Sequence, residues 1–248
     1  MKVFMLACAA TTVLFSVLSA TTTQAAECVI DPVLKANKQL AFDALDGIFN
    51  KKDAGAIDRY LGPTYLQHNP GAADGTDGLK AFLPFLPADA GYEIGLLAAE
   101  DDLVWVHSRS GGAVNKSIVV DVYRVKDGRL VEHWDYIQAE VLQTVSGRPM
   151  FPITASMPVS AAKRCNEAPM VPACVTKADL EANKALAAEA LDALFNKHDV
   201  SAVDKYMGSE YLQHNPFAGD GPEGLKSFIG ALPSSVTFEL GAQVANDD

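Results

Sequence analysis

Apolar residues recur at helical spacing through Leu34, Ala41, Leu45, Ile48 and Phe49, and Asp31-Pro32 ahead of them supplies an acidic cap and a first-turn proline. This pattern predicts a helix running to Lys51-Lys52. Asp53 is placed to cap a second, short helix that contains Ile57, Tyr60 and Leu61 and closes at Gly62-Pro63. The stretch Gly71 to Gly78, with three glycines and two aspartates, predicts a loop, and a third short helix follows around Leu79 to Leu86. From Tyr92 the period changes to two. Three runs alternate: Leu103 to Ser110, Ser117 to Val125, and Leu130 to Val141. Gly111-Gly112 separates the first pair and Lys126-Asp127-Gly128 the second, and Asp-Gly is a strong hairpin signal. Helices first and antiparallel hairpins afterwards predict an α+β fold in which the helices close one face of a curved antiparallel sheet.

The same pattern begins again further along. Tyr65-Leu66-Gln67-His68-Asn69-Pro70 recurs letter for letter as Tyr211-Leu212-Gln213-His214-Asn215-Pro216, a shift of 214 − 68 = 146 residues. The shift holds without a gap from Cys28/Cys174 to Asp102/Asp248, with roughly half of the aligned positions identical. The sequence therefore reads as a tandem duplication: 27–146 a first unit, 147–173 a linker rich in proline and small residues, and 174–248 a second unit that stops before its main sheet. In that second unit, helices are expected at 176–197, 199–207 and 222–232, with one strand around Val236 to Val244. Lacking its hairpins, it should pack poorly unless it docks on the first unit or on another chain. His107, Asp121 and His133-Trp134-Asp135 have no counterpart in it, so only the first copy can be a complete site.

Composition changes the picture in three places. The formal charge of −11 argues against a nucleic-acid surface, which needs clustered Lys and Arg. Residues 1–26 run from Lys2 through an apolar stretch, Val3 to Leu18, into Thr23-Gln24-Ala25-Ala26; this is the order of a secretory signal peptide rather than a stable membrane anchor, and it implies a secreted or periplasmic protein. The mature chain then keeps Cys28, Cys165 and Cys174 in an oxidising compartment. A Cys28–Cys165 bridge would join the two ends of the first unit and leave Cys174 free; Cys165–Cys174 is the alternative pairing.

Alternation sorts the strand residues by face. Trp105, His107 and Arg109 share one face of the first run, Asp121 and Tyr123 one face of the second, and His133 and Asp135 one face of the third, with Trp134, Tyr136 and Gln138 opposite. If the first three sets coincide, His107, Arg109, Asp121, Tyr123, His133 and Asp135 converge in one concavity, with Tyr65 and His68 at its mouth. Ionisable groups turned inward cost several kcal/mol unless paired, and a core built only for packing would use Val or Leu there. The alternative is that Asp121–Arg109 and His133–Asp135 are ion pairs that merely fix register. No metal is expected, since no His-x-His or His-x-x-x-His pair occurs, and no cofactor, since there is no Gly-x-Gly-x-x-Gly or phosphate loop.

The hexapeptide at 65–70, the Asp-Gly and Gly-Leu pairs after it, and Asp121-Val-Tyr-Arg-Val-Lys-Asp-Gly-Arg-Leu-Val-Glu-His-Trp-Asp135-Tyr-Ile-Gln138 resemble the SnoaL-like polyketide cyclases of the NTF2-like superfamily. The resemblance covers 31–151 fully and 177–248 in part. It implies a cone-shaped α+β fold and cofactor-free acid/base chemistry on a small apolar carbonyl compound, of aldol, cyclase or isomerase type. It assigns Asp135 as the acid/base group with His133 beside it, and sets Asp121 where the cyclases carry a His. Tyr65, His68, His107, Arg109 and Tyr123 would bind or polarise the substrate. Two other readings stand beside it: a noncatalytic module holding an apolar ligand in the same cone, and a homodimer or interaction domain using the outer sheet face with Trp134 and Tyr136.

Overall fold

The structure is a computed structural model that describes residues 31–151 and 176–245. Helix α1 (Pro32–Leu45) starts where the sequence sets its cap, the Asp31 carboxylate accepting from the Val33 N–H. It widens into a π-helical turn, Asp46–Asn50, and buries Ala41, Ala44, Leu45 and Ile48. Helix α2 (Ala54–Tyr60) is capped by the Asp53 carboxylate at Gly55 N–H.

The next segment departs from expectation. Leu61, expected in the second helix, instead opens strand β1 (Leu61–Gln67), and α3 begins inside the stretch expected as a loop, running from Gly75 to Phe82 before a 3₁₀ turn, Leu83–Phe85. Strands β2 (Gly91–Glu100), β3 (Leu103–Gly111), β4 (Ser117–Lys126) and β5 (Arg129–Ala139) follow as antiparallel neighbours, so the sheet holds two strands more than the three alternating runs. Its order is β1-β5-β4-β3-β2, and β1 lies parallel to β5. The expected antiparallel sheet is therefore mixed. The reason is topological: the long excursion through α3 and three hairpin strands lets β1 meet β5 in the parallel sense, which no short turn allows.

The hairpin turns follow local chemistry. Asp127 and Gly128 take positive φ (51° and 70°) between the paired Lys126 and Arg129, the conformation that Asp-Gly favours. Helices α1 to α3 close the concave side, where Val104, Val106, Tyr123, Val125 and Leu130 meet Ala41, Leu45, Ile48 and Ile57 in one core. On the convex side the chain beyond β5 folds back, so that Met150 and Phe151 cover Ile118. The architecture is α+β, as the element order predicts.

In the second unit the described elements are α4 (Lys177–Leu191), a π-helical turn (Asp192–Asn196), α5 (Ala202–Tyr206) and α6 (Gly221–Gly230). Local bonds recur at the 146-residue shift. Asn50 Oδ1 accepts from Tyr92 N–H and Asn196 Oδ1 from Phe238 N–H; Lys52 Nζ donates to Ala90 O, and His198 Nε2 to Val236 O. The strand expected around Val236 to Val244 is not formed. Strand β2 takes its ladder from β3, and 236–245 has no such neighbour among the described residues.

The second unit does have a small core around Leu194, Val203, Leu225 and Ile229. It also rests on the first: Arg148 pairs with Asp220, Ser146 Oγ donates to Gln213 O, and Lys184 pairs with Glu100 at the end of β2. The expected leader at 1–26 and the cysteines at 28, 165 and 174 lie outside the described residues. Among those described, no helix is long and apolar enough to cross a membrane.

Ile57 is fully buried where α2 meets α1 and the sheet. Ile57→Ala should destabilise the protein by about 2–5 kcal/mol in urea unfolding, whereas Phe85→Ser, at an 84% exposed position, should stay within about 0.5 kcal/mol of the parent.

Candidate functional site

Strand register decides which side chains share the concave face. In the β4–β5 ladder Asp121 lies opposite Asp135 and Tyr123 opposite His133, and β1 brings Gln67 beside His133. Tyr65, Gln67 and Asn69 alternate inward from β1 and the turn after it, and line the same cavity as Asp121, Tyr123, His133 and Asp135. Leu45, Ile48, Phe49, Leu79 and Phe82 from the helices close the other side. The enclosed volume is about 250 Å³. The structure thus brings together five of the sequence-expected residues: Tyr65, Asp121, Tyr123, His133 and Asp135.

Three others lie elsewhere. In the β3–β4 ladder Val106 is opposite Asp121 and Val104 opposite Tyr123, so β3 turns valines and Ser108 inward and His107 and Arg109 outward. Alternation fixed the pairing of residues within β3 but not its phase against β4; burial of Val104 and Val106 under the helices chose it. His107 packs on the Phe151 ring, and burial lowers its pKa. Arg109 pairs with Glu93 and Glu140 and lies over Phe151, so the Asp121–Arg109 pair does not form. His68 points to the convex face by the same alternation that turns Gln67 and Asn69 inward. Its ring stacks on Trp134 (centroids 4.8 Å apart, 4° between planes) and its Nε2 meets Glu132 Oε1 at 3.0 Å. Trp134 is therefore covered by His68, while Tyr136 stays 65% exposed.

The inward groups form a connected chain. His133 Nε2 lies 3.1 Å from Asp121 Oδ1, and its Nδ1 2.8 Å from Gln67 Oε1. Asn69 Nδ2 donates to Asp135 Oδ2 at 2.5 Å. The His133 ring stacks against Tyr123 and, further off, Tyr65. The ion pair is thus His133–Asp121 rather than His133–Asp135. Asp121 is 1% exposed, and its Oδ2 is buried without a hydrogen-bond partner. Burial pushes its carboxyl above the ordinary range, with the His133 contact acting against that shift. Burial likewise raises the phenols of Tyr65, Tyr92 and Tyr123 well above their usual value, so all three remain neutral hydroxyls.

Gln67 and Asn69 were not singled out from the sequence. The signal was present: strand alternation applied to Tyr65 would have carried Gln67 and Asn69 with it and sent His68 to the opposite face. Among the described residues, Asp121, His133 and Asp135 are the group with metal-ligand spacing, each offering one atom within 4.8 Å of the others, although no sequence-local His pair announces it.

A buried aspartate with a raised pKa adds stability that is complete below the unfolded value of about 3.9 and is lost as pH climbs through the folded value. Asp121→Asn keeps a donor to His133 and removes the charge. It should match the parent below about pH 3.9 and become relatively more stable as pH rises, read from urea midpoints across pH.

A family model for the SnoaL-like domain matches residues 42–133. No curated protein matches the chain. Among solved structures, TsrD from Streptomyces laurentii is 20% identical over 44% of this chain and 91% of its own, with a TM-score of 0.37. An NTF2-like protein from Cytophaga hutchinsonii is 12% identical over 41% of this chain and 89% of its own, with a TM-score of 0.37. An LEH-like epoxide hydrolase of M. tuberculosis is 21% identical over 43% and 86%, with a TM-score of 0.36. The segment that the SnoaL-like model matches supplies α2, β1, α3 and most of the sheet.

Proposed function

We propose that the first unit is a cofactor-free acid/base enzyme that abstracts a proton next to the carbonyl of a small, largely apolar compound, in an aldol, cyclase or isomerase type of reaction. The observation that carries this reading is the pairing of two unlike carboxyls in one apolar cavity. Asp121 is driven toward its neutral form by burial, whereas Asp135 lies at the cavity wall with one oxygen held by an amide donor. Two carboxyls whose surroundings differ in this way divide naturally into an acid and a base.

In the proposed step Asp135 takes the α-proton, the C–H electron pair forms an enolate, and the oxygen of that enolate receives a hydrogen bond from a tyrosine hydroxyl of the cavity lining. Return of the proton to another carbon completes an isomerisation; attack of the enolate carbon on a second carbonyl completes an aldol closure. His133 holds Asp121, and the aromatic and aliphatic lining selects an uncharged substrate body. The rival is a module that only holds an apolar ligand. A fully satisfied interior would favour it, and the orphaned Asp121 Oδ2 favours the enzyme. The reading includes export on the leader at 1–26, with 27–146 as the working unit, 147–173 as linker and 174–248 belonging to a second copy.

Hydrogen exchange tests the proton abstraction directly, whichever compound is the natural substrate. Small apolar ketones and aldehydes are incubated with the protein in D2O, and deuterium entering the α-position is followed by NMR. The parent should catalyse exchange on at least one member of the panel, and Asp135→Asn should slow it by about 10²–10⁴-fold while its circular dichroism is unchanged. Equal exchange by the two proteins would remove Asp135 from the role of base.

A further inference from the structure

The turn after β1 is held by three bonds within the hexapeptide region. Gln67 N–H donates to Asp74 Oδ1 (2.7 Å), Asn69 N–H to Gln67 Oε1 (2.9 Å), and Gly71 N–H to Asn69 Oδ1 (2.7 Å). The identical hexapeptide of the second unit makes the same three: Gln213 N–H to Asp220 Oδ1 (2.8 Å), Asn215 N–H to Gln213 Oε1 (2.8 Å), and Phe217 N–H to Asn215 Oδ1 (2.9 Å). In that unit no strand like β5 is present among the described residues. The neighbour there is the 144–149 segment, through Ser146 at Gln213 O and Val145 at Pro216 O, so the three bonds form without β5.

Those bonds orient two amides toward β5. Of the two ends of a side-chain amide only the oxygen accepts, so the Asn69 N–H fixes which end of the Gln67 amide is Oε1. The His133 Nδ1 at 2.8 Å from that oxygen must then carry the proton. It follows that Nε2 is the nitrogen turned to Asp121 Oδ1, 3.1 Å away, and one proton must lie in that contact. In the same way the Gly71 N–H fixes Asn69 Oδ1, which leaves Nδ2 to face Asp135.

We infer that Gln67 and Asn69 are positioning residues: a turn bonded within itself that imposes one tautomer on His133, confines the proton to the His133–Asp121 contact, and clamps one oxygen of Asp135, leaving the other for a ligand. The tautomer half of this inference stands on geometry alone; the kinetic half rests on the acid/base reading above.

The experiment uses the full chain labelled with ¹⁵N-histidine, with His133 assigned by the signal lost in His133→Gln. The parent should show the His133 proton on Nδ1. Gln67→Leu should shift His133 toward the Nε2–H tautomer, and Gln67→Glu, which keeps an acceptor at the same place, should restore the parent tautomer. Gln213→Leu removes the same side chain from a turn with no histidine strand and should leave the His133 signals unchanged. In the exchange assay Gln67→Leu should lower the rate by about 10²-fold with a displaced pH profile, and Gln67→Glu should recover part of it. An Nε2–H tautomer in the parent, or no change in Gln67→Leu, overturns the inference. The expected NMR result with no exchange activity in any variant would retire the acid/base reading and leave the positioning role of the turn intact.

Discussion

The ladder between β4 and β5 is the constraint on which the site depends. The Asp127-Gly128 turn pairs Lys126 with Arg129 and Val125 with Leu130, and a bulge at Val131 then shifts the count by one residue, which sets Tyr123 against His133 and Asp121 against Asp135. A slip of one residue would turn all four side chains to the convex face and bring Val122, Trp134 and Arg124 inward. The helices enforce the choice from the other side, because Tyr123, Val125 and Leu130 belong to the core that they close. The turn sets the pairing at the strand ends, the bulge resets it by one residue, and burial holds the result, from which the cavity follows.

Within that register the protein tolerates an unfavourable arrangement. Asp121 sits among apolar neighbours with one oxygen bonded and the other unpartnered. Leaving a buried polar atom unpaired costs on the order of 1–3 kcal/mol, which a valine at the same place would avoid. The rest of the polar chain, from Gln67 through His133 and from Asn69 to Asp135, is bonded and stacked. An anomaly confined to one atom in an otherwise satisfied network marks the place where a ligand group would find a partner.

The convex face is built differently. His68, Glu132, Arg124, Asp102 and Trp134 form a network of ion pairs and stacked planes at the surface, and Arg109 bridges Glu93 and Glu140. These residues are chemically as suggestive as those in the cavity, yet most are partly exposed, and surface pairs of this kind contribute little. The second unit adds to this side of the molecule through the segment at 144–149, whose contacts with Gln213 and Asp220 occupy the backbone around its own hexapeptide.

Helix starts at Asp31 and Asp53, the Asp127-Gly128 hairpin, the α+β order and the inward set Asp121, Tyr123, His133 and Asp135 were legible from the sequence, because capping, turn formation and alternation act over a few residues. The mixed sheet, strand β1, and the outward placement of His68, His107 and Arg109 were not. Each depends on how one element meets another far along the chain: β1 finds β5 only once α3 and three strands have folded between them, and the phase of β3 is decided by which valines the helices cover. Local pattern assigns each side chain to one of two faces of its own strand. Only packing across strands decides which of those faces is shared, and so which ionisable groups meet in the dry interior.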